Sequence, residues 1–238
     1  MRKFIPNQHL ETSYPVNRNT VNLVIFGVPR SASTFTWQVM SDIYEKGVIR
    51  THCFFDISPA IPVVCTVRDW RDAIVSYWRS HYPDVTCMEQ EDIYQYVARY
   101  QEFIWTLRAW MQAHPNSPVL RYENTIAHPE CLFKVAEDLR GPQVTPERRE
   151  TILEAHSVRV NRAIANNLKV QDRNTLLAPR HVHEAESGKW RDFVDDKGAA
   201  LLTDLLREEL EEWGYDASDP STKKPTEPQP AKPKPDAG

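Results

Sequence analysis

The chain has 238 residues, 41% of them hydrophobic and 10% aromatic, which suits one domain, or one domain with an appendage, around a real core. Its formal net charge of −4 excludes a protein that coats nucleic acid and says nothing against a local basic pocket. The four cysteines, Cys53, Cys65, Cys87 and Cys131, are scattered with no C-x-x-C pair, which implies a reducing, cytoplasmic compartment.

Residues 1–20 read as a polar lead-in with no signal-peptide core, and no apolar run is long enough for a membrane span. "VNLVIF" (21–26) is a short β-branched run and predicts a buried strand. A loop of small residues follows, then a helix over 33–46 whose first turn Ser33 or Thr34 could cap. Strands are predicted at 47–52 and 61–67, where Cys65 reads as a buried small hydrophobe. A helix at 69–80 starts on an aspartate, and a long helix at 90–113 repeats Ile93, Val97, Tyr100, Ile104, Leu107 and Met111 along one face. Trp105 and Trp110 of that helix fit core better than an acceptor wall.

A fourth strand is expected at 117–122, a helix from Pro129 to Leu139 and a polar helix over 146–166. Residues 167–190 read as a long charged loop, and 197–213 as a closing amphipathic helix. From about Asp216 proline, lysine and acidic residues replace core formers. This splits the chain into a domain, 1–215, and a disordered, Pro/Lys-rich tail, 216–238. Strands alternating with helices imply an open, mostly parallel α/β sheet flanked by helices, with ligands at the carboxyl ends of the strands.

Three stretches then converge on one edge: 27–34, 52–56 and 68–72. The first, "GVPRSAST", joins a strand to a helix, so its N–H groups and helix start can surround an anion. Arg30 adds permanent charge, and Ser31, Ser33 and Thr34 add hydroxyls. A Walker A loop overlays in register, but its lysine and second glycine are missing, which weakens a kinase or ATPase reading. In the second, Arg68 leaves a strand and Ser76 follows within a helix. They form a second anion grip, unless Arg68 pairs locally with Asp69 or Asp72.

Together these stretches resemble the sulfotransferases that use 3′-phosphoadenosine-5′-phosphosulfate (PAPS). That family's P-[KR]-S-[GA]-[ST]-[ST] core stands here as Pro29-Arg30-Ser31-Ala32-Ser33-Thr34, and its R-[DN]-x-x-D-x-x-x-S stretch runs from Arg68 to Ser76. "VLRYENTIAHPE" (119–130) is similar to its Tyr-Glu-Asp strand end, with Asn124 in place of aspartate. Gly188, Trp190 and Arg191 match its late Gly-x-Trp-[KR] loop. "IRTHCFFD" (49–56) resembles its Lys-Thr-His stretch.

The resemblance implies a P-loop-like sulfotransferase fold, PAPS as co-substrate and no metal. PAP, the desulfated donor, would be one product. It implies that Arg30, Ser31, Ala32, Ser33, Thr34 and Phe35 hold the 5′-phosphosulfate side. Arg68 and Ser76 would hold the 3′-phosphate, with the loop of Arg180, Gly188, Trp190 and Arg191 over it. Tyr122 with Phe35 or Trp37 would face adenine. His52 would be the base, with Asp56 or Glu45 as carboxylate alternatives. The acceptor would be a small molecule or carbohydrate hydroxyl, with no nucleic-acid partner; the oligomeric state is open. A kinase or other phosphotransferase and a catalytically silent nucleotide-binding relative are the rival readings. His181, His183, Glu184 and Glu186 alternate in a loop and read as a solvated or nucleotide-side loop rather than metal ligands. Ala32 stands where glycine is usual, so an ordinary negative φ is expected there.

Overall fold

The structure is a computed structural model that describes residues 20–179, 182 and 186–218. Arg180, His181, His183, Glu184 and nearly all of the expected tail lie outside those residues.

Four strands form one parallel sheet in the order β2-β1-β3-β4: β1 (Leu23–Gly27), β2 (Val48–Thr51), β3 (Val63–Val67) and β4 (Val119–Arg121). β1 and β3 are buried throughout, as expected of apolar runs covered on both faces. The two-residue period divides them between two cores. Val24, Phe26, Cys65 and Val67 face one side, and Leu23, Ile25 and Val64 face the other. Cys65 is fully buried, and burial pushes its thiol up to about 12, so it serves as a small hydrophobe.

α1 (Ser33–Tyr44), α5 (Cys131–Asp138) and α6 (Pro146–Ala155) cover the face of Leu23 and Ile25. α2 (Trp70–His81), α3 (Gln90–Ala113), α8 (Asp196–Leu205) and α9 (Arg207–Glu212) cover the other. The long helix of the sequence reading has the expected bounds. Trp110 packs in the core as expected, whereas Trp105 stands 56% exposed and is not core; neither lines the cavities described below.

Several boundaries differ for physical reasons. The single helix expected at 146–166 is two, α6 and α7 (Val158–Asn167), because Ser157 leaves helical geometry and its hydroxyl caps the Val160 N–H. The closing helix breaks at Leu206 into α8 and α9. The short α4 (Tyr122–Ala127) starts directly at the end of β4, where only a strand was expected. The late charged loop ends in a 3-10 turn at Lys189–Phe193.

The connection from β1 goes to one neighbour, β2, while β3 lies on the other side of β1. That reversal opens a crevice beyond the carboxyl ends of β1 and β3, where a doubly wound sheet binds its ligands. The 28–32 loop and Arg68 both leave strands at this point.

Candidate active site

The turn from β1 into α1 is tightly built. A Cβ on Gly27 would lie 2.2 Å from Ser33 Cβ, so only glycine fits where α1 folds back over the strand end. Arg30 and Ala32 both adopt left-handed conformations, with φ of 69° and 65°. The expected negative φ at Ala32 is therefore overturned. The turn needs a left-handed residue as the N-cap of α1, and alanine carries the smallest Cβ that pays this strain. Left-handed residues in such a loop turn successive N–H groups toward one side, the geometry of an anion nest. Neither Ser33 nor Thr34 caps α1, and Ala32 offers no side-chain cap. The first-turn N–H groups thus lack intrahelical partners, beside cavities that Ala32, Ser33 and Thr34 line. Ala32→Gly is expected to raise stability by about 1 kcal/mol or less, read by urea unfolding; a less stable variant would contradict the strain at this position.

Tyr100 on α3 donates to the Pro29 carbonyl at 2.6 Å and fixes the loop against the α2–α3 layer. Arg30 Nε donates to Ser76 Oγ at 2.9 Å, so the two anion motifs touch. Arg68 is 6% exposed. It lies 4.0 Å over the Tyr122 ring, donates to the Glu186 carbonyl at 3.0 Å and sits 3.8 Å from Asp72, while its Nε has no hydrogen-bond partner. The local pairing considered for Arg68 thus exists with Asp72, whereas Asp69 belongs to Arg71 at 2.7 Å. Glu123, of the Tyr-Glu-Asn segment, accepts from the Asp69 N–H at 3.1 Å and joins the end of β4 to the start of α2.

Three adjoining cavities surround these groups. One of about 120 Å³ lies between Phe35, Tyr122, Ile126, Asn161 and Leu177. A second, about 390 Å³, is lined by Arg68, Arg79, Arg162 and Lys189 with Asp72 and Glu186. A third, about 380 Å³, is lined by Ser33, Thr34, Arg50, His52, Tyr77 and Arg79. Arg30 borders the first and third; Arg68 and Ser76 border the first and second. Burial lowers Arg30 to about 10, with Arg68 and Arg79 adding repulsion against the pull of Tyr100, and burial lowers Arg50 to about 10. Both stay charged at neutral pH. So many cations around one crevice favour an anionic occupant.

No model of a known protein family matches the chain, and no curated protein matches its sequence. Solved structures do match. Retinol dehydratase in complex with androsterone and the inactive cofactor PAP superposes with a TM-score of 0.59 at 16% identity, over 84% of this chain and 83% of that one. Mouse sulfotransferase SULT7A1 complexed with PAP gives 0.59 at 15% identity, over 82% and 88%. Retinol dehydratase with retinol and PAP gives 0.60 at 16% identity, over 84% of each chain. The chain has the sulfotransferase fold.

In this sulfotransferase fold the expected site residues divide. Arg30, Ala32, Thr34, Phe35, Arg68, Ser76 and Tyr122 line the first cavity, and Ser33 and His52 line the third. Ser31 does not reach the crevice: its hydroxyl bonds the Val28 carbonyl at 2.5 Å and Thr66 Oγ1 at 2.7 Å, which makes it a strut under the loop. Trp37 bonds the Val48 carbonyl at 3.1 Å and packs under the sheet, so Phe35 is the aromatic on the cavity side. Arg191 stacks 4.4 Å from the Trp190 ring and lines none of the three cavities; Lys189 is the loop cation facing the second. Glu45 caps the far end of α1, about 18 Å from the loop by helix rise over 12 residues, which removes it as a base. Asp56 is exposed in the loop after β2 and does not line the third cavity.

Sequence reasoning missed Arg50, Lys189 and the pivotal place of Asp72. Arg50 sits two residues before His52, on the same side of β2, and that alternation was its signal. Asp72 is 2% exposed and accepts from the N–H groups of Gly188 at 2.6 Å and Trp190 at 3.0 Å. It therefore clamps the late loop onto α2 beside Arg68. Gly188 adopts φ 80° to present its N–H there, and Trp190 is buried against Arg71, 5.0 Å from its ring.

Burial pushes the Asp72 carboxyl from 3.8 up to about 6, against the downward pull of Arg68 and the two N–H groups. A carboxyl raised on folding adds stability in full below its unfolded value and loses it as pH rises through the folded one. Asp72→Asn is expected to flatten that dependence. In urea unfolding between pH 4 and 7, wild type should lose up to roughly 3 kcal/mol relative to the variant as pH rises. A constant difference would contradict the burial effect.

Proposed function

We propose that the chain is a PAPS-dependent sulfotransferase that moves a sulfuryl group to an acceptor hydroxyl, giving PAP and a sulfate ester. The observation that carries this reading is that two cationic grips, Arg30 with the loop N–H groups and Arg68 with Lys189, adjoin one small cavity walled by Phe35 and Tyr122. That arrangement suits a nucleoside that carries phosphates at two positions. The PAP in the neighbours' structures supports the donor, and the androsterone and retinol in two of them support a small-molecule acceptor. A carbohydrate is the other acceptor class that an open third cavity accommodates.

PAPS supplies the activated sulfuryl group. Arg30, Ser33, Thr34 and the loop N–H groups stabilise the negative charge that builds on the departing 5′-phosphate. Arg68, with Ser76, Arg162 and Lys189 around it, grips the 3′-phosphate that separates this donor from ATP. Phe35 and Tyr122 enclose the base. His52 takes the acceptor hydroxyl's proton as the new O–S bond forms and the old S–O bond breaks. Among the described residues lining the third cavity, His52 is the one base available at neutral pH.

The test is transfer of labelled sulfate from PAPS to a panel of phenols, sterols, retinoid alcohols and sugars. A labelled product confirms transfer. PAP binding without transfer to any of them would favour the silent relative. Mg²⁺-dependent ATP binding without PAP binding would favour a phosphotransferase.

A further inference from the structure

The His52 ring is engaged at both nitrogens. Nδ1 makes a short hydrogen bond with the Gly27 carbonyl, which can only accept, so Nδ1 carries the proton. Nε2 therefore holds the lone pair, and Arg50 Nη1 donates to it at 2.9 Å. The base proposed above is thus occupied by a permanent cation. The same Nη1 lies 3.5 Å from Ser33 Oγ, at the first residue of α1, and Arg50 Nε is buried with no hydrogen-bond partner. Arg50 spans the distance between the base and the anion cradle, with donor capacity unspent.

We infer that Arg50 holds His52 closed until an anion fills the cradle, and that donor binding draws Arg50 away and frees Nε2. A charge-assisted, two-pronged bond to a phosphate oxygen pair is stronger than one bond to a neutral imidazole, so the exchange runs toward the anion. Arg50 is then a positioning residue for His52. It orders the reaction, because no acceptor proton can be taken before the donor is in place. Once freed, Nε2 accepts the acceptor's proton, and the electron pair of the breaking S–O bond stays on the phosphate of PAP. The inference rests on the sulfotransferase reading for the identity of the anion; the closure of His52 by Arg50 stands without it.

The charged and titratable groups facing His52 are Arg50 on β2, Arg30 in the loop, and Tyr77 and Arg79 on α2; α3 contributes the Phe103 ring, 6.4 Å away and edge-on. Burial and then Arg50 lower His52 to about 3, against the Gly27 carbonyl, so the free protein keeps it neutral.

Imidazole nitrogen NMR on the full chain, with PAP as the probe, tests this. The His52 signals are assigned by loss in His52→Gln and by contacts to the Phe103 ring. In the free protein His52 should stay in the Nδ1–H form between about pH 5 and 8. Saturating PAP should raise its proton affinity about tenfold or more and shift Nε2, as should Arg50→Met without any ligand. Arg50→Lys should restore the closed signal and its response to PAP. An ordinary His52 titration in the free wild type, or unchanged His52 in Arg50→Met, would overturn the closure. PAP binding by calorimetry with His52 unmoved would overturn the release while leaving the sulfotransferase reading intact. Absence of PAP binding would overturn that reading, and the donor-driven release with it; the Arg50→Met arm needs no ligand and decides the closure by itself.

Discussion

His52→Ala is expected to lower kcat by about 10²–10⁴, the usual worth of a positioned proton acceptor, and not to weaken PAP binding. His52 lies at the end of β2 on the wall of the cavity that also holds Ser33, Thr34 and Arg30. It is neutral in the free protein, so its removal takes no charge from the donor's surroundings. The ring bonds the Gly27 carbonyl and accepts from Arg50 Nη1, so its loss frees Arg50 for the anion and removes no donor from the cradle. The loss should therefore fall on turnover, measured with labelled PAPS under saturating acceptor. Full turnover in the variant would assign the proton to another group.

Arg30→Ala is expected to cost about 10²–10³ in kcat and to weaken PAP as well. Arg30 is the loop's only cation, and its Nε holds Ser76, the hydroxyl between the two anion grips. Both grips should therefore loosen. Arg30→Lys keeps the charge but not the fork, so it should recover PAP affinity more than turnover. The split between KM and kcat across the two variants checks this. Equal recovery of both would show that charge alone matters at this position.

The sheet was legible because β1 and β3 are apolar runs buried on both faces, and such runs need no tertiary information to be read. The long α3 was legible because its seven-residue rhythm has no breaker inside it. Ser157 and Leu206 interrupt helices whose composition continues across them, so those breaks were hidden. Within the site, motif spacing pointed to Arg30, Arg68, Ser76, Tyr122 and His52, and all five line the cavities of the crevice. Side-chain direction was not legible. Ser31 and Ser33 read alike in sequence, yet one bonds inward to Thr66 and the other faces the cavity. Arg191 matched the expected loop motif and Lys189 did not, yet of the two Lys189 lines the second cavity with Arg68. Ala32 was misjudged because a left-handed alanine is costly in isolation, and only the finished turn shows what that strain positions.

Calorimetric titration of the full chain with PAP tests the central claim most directly. The account predicts saturable binding without Mg²⁺, a matching rise in thermal stability, and weakening in both Arg30→Ala and Arg68→Lys. PAP at millimolar concentration that neither binds nor shifts the unfolding temperature, with Mg²⁺-ATP binding in its place, would contradict it.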